Sequence, residues 1–390
     1  MNPSAPAPVH ADAIPLTLYA HLPWCVRKCP YCDFNSHEHD PAGIPRTEYI
    51  RALDEDLAQD AGYVGRREVQ AIFIGGGTPS LFAPEHIGEF LRGCRGRLNV
   101  AGDAEVTLEA NPGALDMSRV GELADAGVSR LSLGAQSFDD ALLERIGRIH
   151  HSGDVRNAAS AVAGAGFESW NLDLMYALPG QDVAGALSDL EQAVQCQPPH
   201  LSWYQLTLEP NTVFHKKPPE GLPDDDGIVE IETAGAEFLR AAGYVQYEIS
   251  AWVRGGDGAR CRHNLNYWQF GDYLGVGAGA HSKLTLPDGG IFRGKKLRRP
   301  DGYLRGVSKS AEFAPIAGHE IALEFMLNAL RLIDGVPGEY FAQRTGIELD
   351  EIENALFHAR ALGLLRDDPD RLAPTPQGLR YLNDLLEVFM

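Results

Sequence analysis

Apolar runs bounded by turn residues recur through the first 245 positions: LTLYAHL (16–22), QAIFIGG (70–76), EVTLEAN (105–111), RLSLGAQ (130–136), WNLDLMYALPG (170–180) and LSWYQLTLEPN (201–211). Each is short, rich in branched and aromatic residues, and runs into glycine or polar residues, which predicts buried strands. Between them lie TEYIRALDEDLAQDA, PEHIGEFLRGC, MSRVGELADAG, VRNAASAVAGAG and AGALSDLEQAV. Their apolar positions repeat every three or four residues and glycine follows several of them, which predicts amphipathic helices. Alternation of this kind implies an α/β fold with a parallel sheet covered by helices, either a doubly wound sheet or an incomplete barrel. The polar residues favour the barrel. His21 and a cysteine group, GGGTPS (75–80), EANPG (109–113), GAQSF (134–138), DLMYALPG (173–180) and EPNT (209–212) all fall at C-terminal ends of predicted strands. A barrel gathers such ends around one rim, whereas an open sheet spreads them along an edge. The expectation is a partial (β/α)6 TIM-like barrel over residues 15–250.

The texture changes after the connector HKKPPEGLPDDD and the helical pattern IVEIETAGAEFLRAAG. Residues 251–315, containing HNLNYWQFGDYLGVGAGAHS, read as an irregular, glycine- and aromatic-rich extension closing over the barrel mouth. Residues 316–390 present three helical patterns, a turn-rich hairpin and a last helix, a mostly helical, winged-helix-like order. Residues 1–14 are rich in Pro and Ala and are expected to be a disordered lead-in.

Composition narrows the function. A chain of 390 residues suits a large barrel plus an appended domain. A formal charge of -20 argues against a nucleic-acid binder, whose affinity rests on neutralising phosphates. The winged-helix-like segment is itself acidic, with 13 Asp+Glu against 6 Lys+Arg over 319–390, and is expected to be a protein-docking or lid domain. No apolar run approaches the ~18 residues of a membrane span. The start of the chain lacks the basic and apolar pattern of a secretory signal, so a cytoplasmic protein is expected.

Three of six cysteines cluster at Cys-x3-Cys-x2-Cys spacing, Cys25, Cys29 and Cys32, directly after the first strand. Zinc wants a fourth protein ligand, for which only His21, His37 and His39 are near in sequence. A cubane iron-sulfur cluster can be held by three thiolates with one iron left for an external ligand. Three readings stay open on chemistry alone: the cluster ahead of zinc, and a purely structural trio of cysteines after both. Glu109, in an apolar strand, would be costly to bury without a partner, so a ligand hydroxyl or ammonium is expected to meet it.

The Cys-x3-Cys-x-aromatic-Cys motif, with Tyr31 as the aromatic residue and a glycine run after the second strand, resembles the radical S-adenosylmethionine superfamily. The resemblance implies a 4Fe-4S cluster on Cys25, Cys29 and Cys32, with S-adenosylmethionine chelating the fourth iron and yielding a 5'-deoxyadenosyl radical on reduction. It further implies that Gly75, Gly76, Gly77 and Thr78 lie against the methionyl group. Tyr19, Tyr31, Glu109, Gln136, Arg148 and Asp173 are implied as the rest of the cofactor pocket. From residue 15 to the C-terminus the motifs resemble the group that holds oxygen-independent coproporphyrinogen III oxidase and a haem-chaperone branch.

Two features favour the chaperone branch. Where the oxidase pattern has a fourth cysteine this chain has Phe34, and the chaperone's His-Asn-x-x-Tyr-Trp motif stands here as HNLNYW (263–268). By this resemblance His263 is a haem ligand, Tyr267 and Trp268 cover the porphyrin, and Arg260 and Arg262 are candidates for its propionates. The implied function is delivery of haem to acceptor proteins, among them membrane-bound respiratory proteins, by a protein that is not itself embedded in a membrane. The alternative is radical decarboxylation of a porphyrinogen. The basic run RGKKLRRPDGYLRG (293–306) reads as a solvated face or a contact for propionates or an acceptor. A homodimer is one option for the assembly, and the role of Cys261 stays open.

Overall fold

The computed structural model describes residues 9–306 and 309–390. The six apolar runs form β1 (Leu16–Leu22), β2 (Glu68–Gly76), β3 (Asn99–Ala110), β4 (Arg130–Gln136), β5 (Ser169–Tyr176) and β6 (His200–Gln205). They lie side by side in chain order and every neighbouring pair is parallel. Period-two alternation sets which side of the sheet each residue serves. In β1, Leu16, Leu18, Ala20 and Leu22 join one apolar core with Tyr49 and Leu53 of the Arg46–Val64 helix, while Tyr19 and His21 reach a cavity.

The strand ends decide between the two architectures. Gly76 of β2, Glu109 of β3, Gln136 of β4, Asp173 of β5 and Tyr204 of β6 all line one cavity of about 620 Å³. Strands that neighbour one another in a flat sheet cannot bring five ends to one space, so the sheet is curled into a partial barrel.

Residues 251–315 are more regular than expected. They contain the helices Arg262–Trp268 and Pro300–Arg305 and five strands: Ala251–Val253, antiparallel to β6, then β7 (Asp272–Val276), β8 (His281–Thr285), β9 (Ile291–Lys296) and β10 (Ser310–Pro315). β7 pairs parallel with β1, Leu16 opposite Asp272 and Ala20 opposite Val276, and β8, β9 and β10 continue the sheet antiparallel. Glycine hid this from the sequence. A Cβ on Gly275 would stand 2.0 Å from the His281 carbonyl oxygen, and one on Gly277 2.3 Å from that of His21. These glycines serve close backbone approach rather than looseness.

A buried ion network locks β7 in register. Asp272, fully enclosed, meets Arg67 at 2.8 Å and Lys283 at 2.9 Å and accepts the Thr285 amide at 2.7 Å. Arg67 also donates to the Ile14 carbonyl at 2.8 Å, which ties down the chain entering β1. The expected disordered lead-in therefore does not extend through residue 14: Ala11–Ala13 is a 3-10 turn, and Val9, Ala11 and Ile14 are buried. Residues 1–8 of that expectation lie outside the described residues.

The C-terminal part has helices Gly318–Ala329, Glu339–Thr345 and Glu353–Ala361, then an antiparallel pair of Val336–Pro337 with Arg371–Leu372, and closing helices Pro376–Arg380 and Leu382–Glu387. Phe325, Phe341, Leu356 and Leu385 form a separate apolar core there, joined by Phe270 from just before β7. Among the described residues no helix is long and apolar enough to cross a membrane.

Candidate functional site

The cysteine loop is tied at both ends to backbone. Trp24–Cys25 pairs with His37–Glu38, closing the loop on itself. Gly77 N donates to Leu22 O and Thr78 N to Trp24 O, each at 2.8 Å, holding the loop's entry against the end of β2. Inside the loop the Lys28 ammonium donates to the Phe34 carbonyl at 2.8 Å. All three thiols are free, and Cys25, Cys29 and Cys32 line the 620 Å³ cavity together with Tyr31 and Phe34. Arg148 Nη1 lies 3.7 Å from Cys29 Sγ, and Ser36 Oγ 3.7 Å from Cys32 Sγ. Among the described residues no three His, Cys, Asp or Glu side chains converge on a single ion position. Sulfurs that each bind a different corner of a cubane have no need to converge.

The glycine run has a reason internal to the protein. A Cβ on Gly75 would lie 2.9 Å from the Glu109 carboxylate, one on Gly76 would enter the His21 ring, and one on Gly77 would stand 2.5 Å from Trp24 O. Gly76 and Gly77 line the cavity beside Thr78, and Gly75 does not. Glu109 accepts the Gly76 amide at 3.0 Å. Burial first, and the Asp173 charge second, push its carboxyl up to about 7. Asp173 is likewise raised by burial, although Asn171 Nδ2 (2.8 Å) and Ser132 Oγ (3.0 Å) donate to it. Two carboxyls poised this way on one cavity suit a ligand bearing an ammonium or hydroxyls. Gln136, at φ 69°, holds a left-handed backbone that a non-glycine residue seldom adopts, and it receives the Tyr204 hydroxyl at 3.2 Å. Arg148 Nη2 donates to Gly134 O at 2.8 Å, which aims its guanidinium along the cavity wall.

A second cavity of about 920 Å³ adjoins the first, and Asp33, Phe34, Gly76, Glu109 and Asn264 line both. Tyr19, expected beside the cysteines, lines this second cavity instead, its hydroxyl hydrogen-bonded to His21 Nδ1 at 3.0 Å. His263 lines it too. It is 8% exposed, lies 5.1 Å from Phe73 and 6.1 Å from Tyr19 between ring centroids, and its Nδ1 has no hydrogen-bond partner among the described residues. Burial pushes this imidazole down to about 4, so it is neutral near pH 7. Tyr267 faces the second cavity and Trp268 the first. Successive residues of a helix point about 100° apart, so the pair does not form the single flat surface expected of it. Arg260 and Arg262 also differ from expectation: they pair with Asp257 (2.9 Å) and Asp103 (3.3 Å), and neither lines either cavity.

Among the contributors to the first cavity that sequence reading missed are Glu248 and Arg331. Glu248 is brought in by a β-bridge to Leu332, and Arg331 lies over the Trp268 ring at 4.4 Å. No spacing in the sequence links these positions. Tyr204 was within reach, since it lies at the end of an identified strand run.

Comparison with known proteins agrees with this architecture. Residues 19–192 match the Radical SAM superfamily and residues 316–381 the HemN C-terminal domain. The solved coproporphyrinogen III oxidase (HemN) from Escherichia coli, described as a radical SAM enzyme, superposes with a TM-score of 0.81 at 20% identity, covering 97% of this chain and 90% of that one. Heme chaperone HemW of Escherichia coli K12 is 47% identical over 376 residues, spanning 96% of this chain and 98% of the relative. The Haemophilus influenzae protein of the same name is 44% identical over 96% of this chain and 98% of its own length. Similarity of that extent, running through barrel and C-terminal part alike, means that the chain belongs to the heme chaperone HemW family of the radical SAM superfamily.

Proposed function

We propose that this protein is a haem chaperone, which carries a 4Fe-4S cluster with S-adenosylmethionine at the first cavity, binds haem, and delivers it to acceptor proteins. The observation that carries the reading is the 47% identity, over nearly the full length of both chains, with a protein named heme chaperone HemW. Three free thiols of one loop at the mouth of a cavity support the cluster. Cys25, Cys29 and Cys32 would hold it, and the raised carboxyls of Glu109 and Asp173 suit the polar groups of S-adenosylmethionine. Such a cluster supplies one-electron chemistry at a sulfonium when reduced. The chain's own part is to position: Thr78, Gln136 and Arg148 set the cavity wall, and Tyr31 lines it beside the thiols.

Membrane-bound respiratory proteins as acceptors, a homodimer, a cytoplasmic location and a division into a barrel, an extension from about residue 251 and a C-terminal domain from about 316 are part of the same proposal. The separate C-terminal core supports the last boundary.

Anaerobic reconstitution with iron and sulfide, followed by titration with haem, tests the reading. One cluster per chain, lost in the Cys25→Ala/Cys29→Ala/Cys32→Ala variant, and saturable haem binding with transfer to an apo-haemoprotein are expected. Absence of haem binding by the reconstituted protein would overturn the chaperone reading.

A further inference from the structure

The second cavity has a composition that the acidic chain as a whole does not. Its aromatic wall comes from Tyr19, Phe73, Tyr267 and Tyr273, its rim carries His281, Arg293, Lys295 and Arg298, and its two acidic residues, Asp33 and Glu109, are ones it shares with the first cavity. The three basic residues come from β9 and the turn after it, part of the basic run noted in the sequence. They stand on a protein of net charge -20. A cluster of cations on such a surface, beside a wall of rings, fits a ligand that is flat and apolar on its faces and anionic at one edge.

The three cations are not equivalent. Arg293 is committed, donating to Tyr273 OH at 2.5 Å and pairing with Glu324 at 2.5 Å. Lys295 pairs with Glu312 at 2.9 Å across exposed surface, where an ion pair contributes little and exchanges readily. Arg298 has neither an ion pair nor a side-chain hydrogen bond among the described residues, and its backbone is held in place because its carbonyl accepts Asn35 Nδ2 at 2.9 Å. The first cavity is occupied in the proposed function by the cluster and S-adenosylmethionine, which leaves the larger second one for a tetrapyrrole. His263, enclosed and without a hydrogen-bond partner for Nδ1, lines that same cavity.

We propose that the second cavity is the seat of the tetrapyrrole, with Arg298 and Lys295 as the residues that receive its carboxylates, in place of Arg260 and Arg262. This rests on the haem-chaperone reading and adds to it the location and the anchoring residues. Arg298 and Lys295 select for the free diacid, since a charge-assisted hydrogen bond is lost when a carboxylate is esterified. The aromatic wall is indifferent to that change.

Haem and haem dimethyl ester, titrated by Soret absorbance into the reconstituted full chain, test the assignment. The native protein is expected to bind haem at least about tenfold more tightly than the diester. Arg298→Glu, and more so Arg298→Glu/Lys295→Glu, should weaken haem by about tenfold or more while leaving diester affinity, cluster absorbance and thermal unfolding unchanged. Arg260→Glu and Arg262→Glu should leave haem affinity unchanged. Equal affinity of the native protein for both compounds, or haem binding unaltered in the double variant, overturns the carboxylate assignment and leaves the chaperone reading standing. No haem binding by the native protein overturns both.

Discussion

At the scale of single residues the site is a set of buried groups whose charge states the fold has moved. His263 is the case with the sharpest consequence. Packed against Tyr19 and Phe73 and pushed down to about 4 by burial, it is neutral at physiological pH, the state in which imidazole offers a lone pair to iron. His263→Ala is expected to weaken haem binding and shift the Soret band while the cluster spectrum stays. An unchanged Soret band at unchanged affinity would make this a packing residue only. Glu248 yields a pH prediction of its own. Burial lifts its carboxyl from 4.5 to about 7 against the opposing effects of Arg331 and the Ser250 and Ala251 amides, and its Oε2 has no hydrogen-bond partner among the described residues. The folded protein thus holds this proton more tightly than the unfolded chain. Its contribution is complete below about pH 4.5 and is lost as pH rises through about 7. Glu248→Gln should therefore stabilise the protein by about 2–3 kcal/mol near pH 8 and by clearly less near pH 5, measured by denaturant unfolding. The same gain at both values would contradict the account.

At the scale of elements, function depends on how closely backbones approach. The end of β2 and the entry of the cysteine loop share two backbone hydrogen bonds, and Gly77 is the residue that permits them. A methyl group there would meet Trp24 O at 2.5 Å, and backbone cannot yield as a flexible side chain does. Gly77→Ala should cost about 1–3 kcal/mol and lower the iron bound per chain after reconstitution, because the loop that carries the thiols must shift. Gly62, exposed in the Arg46–Val64 helix with open space around it, is the control: Gly62→Ala should raise stability by about 0.4–1 kcal/mol and leave iron content unchanged. Full iron occupancy in the Gly77 variant would show that loop position does not govern cluster assembly. The same physics explains why β7 was read as irregular. Alternation is erased where a strand position such as Gly275 is given to glycine, and Gly275 and, just past the strand, Gly277 are glycine because neighbouring backbone occupies the space of a side chain.

At the scale of the whole molecule, the oxidase-like fold does not by itself decide the chemistry. The likeness to coproporphyrinogen III oxidase concerns the path of the chain, and Phe34, 56% exposed at the junction of the two cavities, stands where the oxidase pattern has a cysteine. The reconstituted protein with reductant is expected to form no protoporphyrinogen IX from coproporphyrinogen III. Product at multiple turnovers would return the protein to the oxidases. The amino-acid sequence alone determined the six strands, the helices between them, the placement of polar residues at strand ends and the cysteine loop, because these follow from periodicity and spacing along a few neighbouring residues. Tertiary structure decided what those local patterns do not contain. It put Tyr19 on the second cavity, turned Tyr267 and Trp268 to different cavities, and tied Arg260 and Arg262 to aspartates. It also carried Glu248 and Arg331 to the first cavity through the bridge at Leu332. The reason is that a strand's residues share a face by their own repeat, whereas a cavity collects side chains from segments hundreds of residues apart, whose meeting depends on how the sheet curls and which backbones can touch.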